Sequence, residues 1–262
     1  MCGIAGSVGT GSDRADVEGQ LRRLDHRGPD SWGVFEKPGA IVGQTRLAVI
    51  DLVTGDPPIA DEEGAVGVAL NGEIYNFASL REELRLRGHR LATAGDTEVI
   101  AHLAEDMEPV ELARCLDGMF AFAVWDERRR RLILGRDRLG KKPLYYWSAN
   151  GRLVFASEIK AVLAHRWVPR RLAPDAIPAY LTFGYVPTPR TFFQGIESVP
   201  PGHVLVTYAG GGVELAPYWA PATRRPGGQA PPVVSAQDAG RAVRTVLTEA
   251  VGKRLVADVP IG

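Results

Sequence analysis

The residue with the most chemical potential stands second in the chain. A small side chain after the initiator favours removal of Met1, which leaves Cys2 with a thiol and a free α-amine on one residue. With a thiol pKa of ~8.5 and an amine pKa of ~8, the two can act as nucleophile and general base without a separate histidine. The alternative is an ordinary frayed terminus. Farther along, Asn71-Gly72 follows an apolar run and reads locally as a turn dipeptide. Arg46 reads as a surface arginine and Asp96 as a helix N-cap. His89, His102, His165 and His203 show no metal-like spacing, and neither Cys2 nor Cys115 sits in a CxxC pair, so no metal site is expected.

The elements that must position these residues alternate in type. Residues 2–8 read as a buried strand whose Gly3, Ala5 and Gly6 allow close backbone approach. Asp13 is a candidate N-cap for a helix carrying Val17, Leu21 and Leu24 on one face. Strands are expected at 32–35, 40–50 and 66–70, then helices over 77–87 and from Asp96 onward. Further strands are expected at 119–125, 131–136, 144–147 and 153–156, with short helices over 158–163 and 175–183 and a hairpin of 203–208 with 213–216. Strands grouped on both sides of a helix pair indicate an α+β fold, not a βαβ repeat.

Six blocks in order resemble the glutamine-hydrolysing asparagine synthetase family, whose first domain is a class II glutamine amidotransferase of the N-terminal nucleophile hydrolase type. They are Met1-Cys2-Gly3-Ile4-Ala5-Gly6, His26-Arg27-Gly28-Pro29-Asp30, Arg46-Leu47-Ala48-Val49-Ile50-Asp51, Asn71-Gly72-Glu73-Ile74-Tyr75-Asn76, the stretch 118–123, and the stretch 135–146 that begins Gly135-Arg136-Asp137. The resemblance implies a four-layer α/β/β/α sandwich of two antiparallel sheets. It also implies that Cys2 attacks the side-chain amide of glutamine, with the Asn71 side chain and the Gly72 N–H meeting the oxyanion. Arg46 would take the substrate carboxylate, Glu73 and Asp96 the ammonium, and main-chain groups at Val49 and Ile50 would assist. Asp96 follows Gly95 where many relatives carry Ser, a change that leaves the carboxylate intact. The Arg27 and Asp30 loop is read either as a structural ion pair or as direct contact.

The same family carries a synthetase domain that uses ATP and Mg2+ to activate aspartate. Its pyrophosphate loop normally follows an Asp-Val-Pro-x-Gly stretch, and here the sequence stops at Asp258-Val259-Pro260-Ile261-Gly262. The expected organisation is an amidotransferase domain over 2–217, a Pro/Gly-rich linker over 218–234, and the start of a truncated synthetase domain over 235–262, with no cofactor in this chain. Ala239, Val243, Val246, Leu247, Ala250 and Val251 would form one apolar face of an unpartnered helix. The expected partners are glutamine and the missing synthetase domain or subunit, with a homodimer left open. An amidotransferase domain serving another acceptor, or a noncatalytic association module, are the alternatives.

Composition agrees with a globular enzyme. The 262 residues carry 31 basic and 31 acidic side chains, so no overall field favours nucleic acid or an acidic membrane surface. No apolar run approaches the ~20 residues that span a bilayer. Two cysteines and no leader pattern point to a cytoplasmic protein. Arg128-Arg129-Arg130-Arg131 is the one dense basic run and reads as a solvated turn.

Overall fold

The computed structural model describes residues 1–208, 210–221 and 235–260. The chain begins with β1 (Gly3–Val8), α1 (Arg14–Arg22), β2 (Ser31–Lys37), β3 (Ala40–Arg46), β4 (Ile59–Ala60) and β5 (Val66–Ile74). Three helices follow, α2 (Phe77–Leu86), α3 (Glu98–Asp106) and α4 (Pro109–Cys115), then β6 (Gly118–Asp126), β7 (Arg131–Arg136), β8 (Tyr145–Ala149) and β9 (Arg152–Ala156). The remainder holds α5 (Ile159–Val162), α6 (Ile177–Phe183), β10 (Ile196–Ser198), β11 (His203–Tyr208), β12 (Val213–Pro217) and α7 (Ala236–Arg254). The first sheet has the order β10-β8-β9-β1-β3-β2 and the second β12-β11-β7-β6-β5-β4. Neighbouring strands run antiparallel in both.

Three apolar layers hold four layers of structure together. Between the sheets, Ile4, Val8, Phe35 and Val42 meet Ala69, Ala121, Ala123, Trp125 and Leu134. Gly67 makes room there, since a Cβ at that position would fall 2.2 Å from the Phe35 ring. On the outer face of the first sheet, Val17, Leu21 and Leu24 pack with Val154, Ala161 and Val162. On the outer face of the second, Leu80, Leu84, Val99, Ile100, Leu103 and Leu112 cover Val68, Leu70, Phe120 and Val124. Each large side chain fully withdrawn from water here contributes about 1.5–3 kcal/mol. The order helix, sheet, sheet, helix is the four-layer α+β sandwich that the resemblance implied.

Several expectations need correction. Asn71-Gly72 is not a turn: β5 continues through both residues, with Asn71 opposite Ala121 and Gly72 opposite Phe120. β3 ends at Arg46 instead of reaching residue 50, because the chain leaves the ladder there and Leu47, Val49 and Ile50 line a cleft. Asp96 does not start a helix; α3 begins at Glu98, and the Asp96 carboxylate accepts the Ile74 N–H at 2.9 Å instead. The short elements α4, β4 and β10 carry too few residues for a periodic signal. Tyr218 is buried in the outer core of the second sheet and Trp219 packs against it, so the packed body reaches past Pro217. Most of the expected linker, residues 222–234, lies outside the described residues.

The basic run is also different from a bare solvated turn. Arg128 pairs with Asp61 at 2.9 Å and Glu63 at 2.7 Å, and Arg130 with Glu127 at 2.7 Å. Arg131, at the start of β7, is buried against Asp126 and Glu108. At the other end of the chain, Ser235 caps α7 by accepting the Asp238 N–H at 3.0 Å. Val243, Val246, Leu247 and Val251 on that helix are exposed. No helix among the described residues is long and apolar enough to cross a membrane.

Candidate active site

A cleft of about 210 Å³ opens where the ends of β1, β3 and β5 meet the loop between α2 and α3. The pairing of β1 with β3 places Gly3 opposite Thr45, so the next step along brings Cys2 level with Arg46. The Cys2 Sγ accepts the Leu47 N–H at 3.4 Å and lies 3.7 Å from the Leu47 carbonyl. Burial pushes the thiol pKa up, while the Leu47 N–H, the nearby chain-terminal ammonium and Arg46 pull it down, and Asp96 opposes them. Burial likewise lowers the pKa of the terminal amine, which belongs to Met1 in this chain. Both shifts favour neutral groups, a thiol and an amine, and a neutral amine can accept a proton.

The edge of β5 supplies donors. Its backbone N–H groups alternate, and on the side away from β6 the Leu70 N–H donates to Gln44 Oε1 at 2.9 Å and the Ile74 N–H to Asp96 at 2.9 Å. Gly72 lies midway between them, so its N–H faces the same open edge, and the residue lines the cleft. Its φ of +153° and a phantom Cβ 2.1 Å from the Met119 carbonyl oxygen restrict the position to glycine. Asn71 shares the inter-sheet face of Ala69 and is completely buried, yet its amide nitrogen and oxygen have no hydrogen-bond partner among the described residues. Alone among the expected site residues it does not line the cleft; it stands on β5 one position before the cleft-lining Gly72.

Charges of both signs complete the walls. Arg46, Val49, Ile50, Glu73 and Asp96 all line the cleft. The buried guanidinium of Arg46 reaches Asp56 at 2.6 Å and donates to the carbonyls of Ile50, at 3.2 Å, and Asp51. Asp96 is 7% exposed, and burial, reinforced by the Glu73 carboxylate, pushes its pKa up to about 6 against the Ile74 N–H bond. An ammonium arriving between Glu73 and Asp96 would relieve both the burial cost and the repulsion.

Surrounding loops are braced by carboxylates. Arg27 pairs with Glu158, which His26 also approaches at 2.9 Å, and Asp30 accepts the Ala48 N–H at 2.8 Å. The loop of Arg27 and Asp30 is therefore a structural brace for the wall of the cleft. Asp51, at φ +58°, accepts N–H groups from Thr54 at 2.8 Å and Ala94 at 2.9 Å. The Asp258 carboxylate accepts the Asp51 N–H at 2.6 Å, and the Asp258 N–H donates to the Val49 carbonyl at 2.9 Å.

Sequence reasoning assigned no role to Lys142, Gln44 or Met119, which also line the cleft. Lys142 is buried, and burial lowers its ammonium pKa against the pull of Glu73 and Cys2. Its available signal was membership of the block over 135–146, whose turn is organised by Asp137 accepting the N–H groups of Lys141 and Lys142 at 2.9 Å. Histidines without metal-like spacing in the sequence do gather in space. Away from the cleft, Glu62, His89, His102 and Glu105 bring one ligand atom each to within 4.8 Å of one another.

Known proteins give this geometry a context. Asparagine synthetase [glutamine-hydrolyzing] 3 of Bacillus subtilis is 35% identical over 268 residues, covering 100% of this chain and 42% of the relative. Asparagine synthetase [glutamine-hydrolyzing] 2 of Arabidopsis thaliana is 35% identical, covering 100% of this chain and 40% of the relative. The chain thus spans about two fifths of the length of these curated relatives. Among solved structures, the glutamine phosphoribosylpyrophosphate amidotransferase of B. subtilis superposes with a TM-score of 0.59 at 21% identity, over 83% of this chain and 49% of that one. It shares the fold. Residues 1–219, which contain every wall of the cleft, match the glutamine amidotransferase domain family, and the chain belongs to that family.

Proposed function

We propose that this chain hydrolyses the side-chain amide of glutamine through Cys2 and supplies ammonia to a synthetase domain in the remainder of a longer polypeptide, where aspartate is the acceptor. The observation that carries this reading is the convergence of Cys2, Arg46, Gly72, Glu73 and Asp96 on one cleft from separate parts of the chain. A glutamine zwitterion needs one cation and one anionic subsite at the end away from its amide. Arg46 supplies the first by exchanging the exposed Asp56 for the substrate carboxylate, and Glu73 with Asp96 supply the second.

Once Met1 is removed, the α-amine of Cys2 takes the thiol proton and the thiolate attacks the amide carbon. Negative charge develops on the amide oxygen, where the Gly72 N–H and the unpaired Asn71 amide donate. Collapse breaks the C–N bond, and the amine returns its proton to the leaving nitrogen, which departs as ammonia. Water, deprotonated by the same amine, attacks the γ-glutamyl thioester and releases glutamate and the thiol. ATP and Mg2+ would serve the synthetase domain. The residues present do not fit a nucleotide, because the Gly210–Gly212 run lies between β11 and β12 with no Lys or Ser spaced for phosphate. Two free cysteines suit a cytoplasmic setting.

Glutamate release measured on Met-free protein, on a form with an N-terminal tag and on Cys2→Ala tests the mechanism. The Met-free form should turn over, and both others should fall by about 10⁴-fold or more. A tagged form as active as the Met-free form would refute the amine as base.

A further inference from the structure

Away from the cleft, four side chains converge from three stretches of chain. Glu62 lies in the turn between β4 and β5, His89 in the α2–α3 loop, and His102 with Glu105 one turn apart on α3. The Nδ1 of His102 is 2.9 Å from Glu62 Oε2 and 3.2 Å from Glu105 Oε1. The Nδ1 of His89 is 3.8 Å from Glu62 Oε1 and 3.9 Å from Glu105 Oε1. A tetrahedral ion with bonds of ~2.0–2.1 Å holds its ligand atoms ~3.3–3.4 Å apart; the two distances to Glu105 Oε1 bracket that spacing, while the imidazoles approach different oxygens of Glu62 and the four-atom set lies within 4.8 Å.

The groups are gathered but not satisfied. His102 is completely buried, and neither of its ring nitrogens, nor Glu105 Oε1, has a hydrogen-bond partner among the described residues. The carboxylate oxygens are close to Nδ1 yet lie off the direction in which that nitrogen would donate. Leaving such groups unpaired in the interior forfeits the hydrogen bonds that water would supply. An ion at the centre of the cluster would satisfy His102 Nδ1 and Glu105 Oε1 together, with His102 Nε2 left toward Glu98.

The outer contacts are those that orient metal-binding imidazoles. His89 Nε2 lies 3.2 Å from Asp106 Oδ2, and His102 Nε2 lies 3.7 Å from Glu98 Oε1, so each ring has a carboxylate behind the nitrogen that faces away from the centre. Arg128 approaches from the rim, but its guanidinium is spread over Asp61, Glu63 and Glu105 Oε2, the last at 3.4 Å, and leaves Glu105 Oε1 unpaired. Glu62 is exposed and gives the site a route to solvent.

We propose that Glu62, His89, His102 and Glu105 form a structural site for a divalent transition-metal ion of the zinc class. Two imidazole nitrogens and two carboxylate oxygens make a complete tetrahedral set with no position left open for substrate. The ion ties the β4–β5 turn and the start of the α2–α3 loop to α3. That loop continues to Thr93, Gly95 and Asp96 on the cleft wall, although the site itself is independent of the chemistry at Cys2.

The test uses the full chain carrying Cys2→Ala, which removes the reactive thiol as a competing ligand. After chelation, the protein is titrated with Co2+ alone and then with Zn2+ alone, following visible absorption and Tm. One equivalent of Co2+ should give the strong absorption of a tetrahedral centre, Zn2+ should displace it, and Tm should rise with Zn2+. His89→Ala and Glu62→Gln, which spare the buried His102, should weaken binding by at least about tenfold, and Asp106→Asn by about 10–100-fold. Absence of saturable binding at one equivalent, affinity unchanged in His89→Ala, or a Tm indifferent to zinc would overturn the site. So would metal-free protein whose stability already rises through protonation of the cluster and gains nothing from zinc.

Discussion

The cleft at Cys2 and the cluster at His102 draw on the same loop between α2 and α3, and both bury polar atoms that the fold leaves unpaired. Behind the cleft wall the unpaired group is the Asn71 amide, next along β5 to Gly72, which lines a space of about 210 Å³. In the cluster the unpaired atoms belong to His102 and Glu105, ligands that face one another within 4.8 Å. The first arrangement suits a charge that appears during a reaction and then leaves. The second suits an ion that stays. An orphaned polar atom thus signals a ligand in either case, and the space in front of it decides whether that ligand is transient or resident.

Removal of the transient donor should separate the two regions most sharply. Asn71→Ala should lower kcat for glutamate release by about 10²–10³-fold with little change in KM, because the amide meets charge that exists only in the transition state. Tm should hold or rise, since an unsatisfied buried amide is lost, and Co2+ binding at the cluster should be unchanged. A kcat within about tenfold of the parent would remove Asn71 from the oxyanion site and leave its unpaired amide without a transient partner.

How far each region could be read from sequence follows from how local its signals are. Cys2, Arg46, Val49, Ile50, Gly72 and Glu73 were reached through blocks of contiguous residues and Asp96 through the resemblance at its own position; all seven line the cleft, whereas Asn71, from the same block as Gly72, does not. The α+β class was visible in strands grouped around a helix pair, whereas the two-sheet layering was implied by the resemblance alone. Asn71-Gly72 misled as a turn because its turn preference is local, whereas the ladder to Phe120 and Ala121 that overrides it is contributed by a strand some fifty residues on. Asp96 misled for the same reason, since its partner is the Ile74 N–H and not the next turn of helix. The cluster was invisible: Glu62 and His89 stand in a turn and a loop, and only the pair His102 and Glu105 has a helical spacing. Gln44, Met119 and Lys142 carried no spacing signal for the cleft, because they reach it by strand register and by a turn built on Asp137.

A smaller effect should come from Asp96, where binding and stability pull in opposite directions. Burial holds its pKa near about 6, above the ordinary value of 3.8, so the protonated form is favoured in the folded, empty protein. The stabilisation this represents is complete below pH 3.8 and is lost as pH rises through about 6. Asp96→Asn should therefore raise Tm at pH 7 by a few degrees, and by less at pH 4, while raising KM for glutamine by about tenfold through loss of the charge opposite the ammonium. In the parent protein KM should climb as pH falls below about 6. An unchanged KM in the variant would remove Asp96 from the ammonium subsite and make its burial a purely structural cost.

The smallest effect tests whether the cleft is ordered from within or from the C-terminal segment. Asp258 accepts the Asp51 N–H at 2.6 Å and donates its own N–H to the Val49 carbonyl at 2.9 Å. Asp51 in turn holds Thr54 and Ala94, so one carboxylate near the end of the described chain is linked to both loops that wall the cleft. Asp258→Ala removes the side-chain bond and keeps the backbone one. The Arg46 contacts to Ile50 and Asp51 remain to shape the loop. The loss should be about 1 kcal/mol, read as a KM for glutamine raised up to about fivefold with kcat held. A change larger than that of Asp96→Asn would reverse the order, since the glutamine loop would then take its shape mainly from the C-terminal segment, making the cleft dependent on what lies beyond the sandwich while the cluster under α3 remained complete within it.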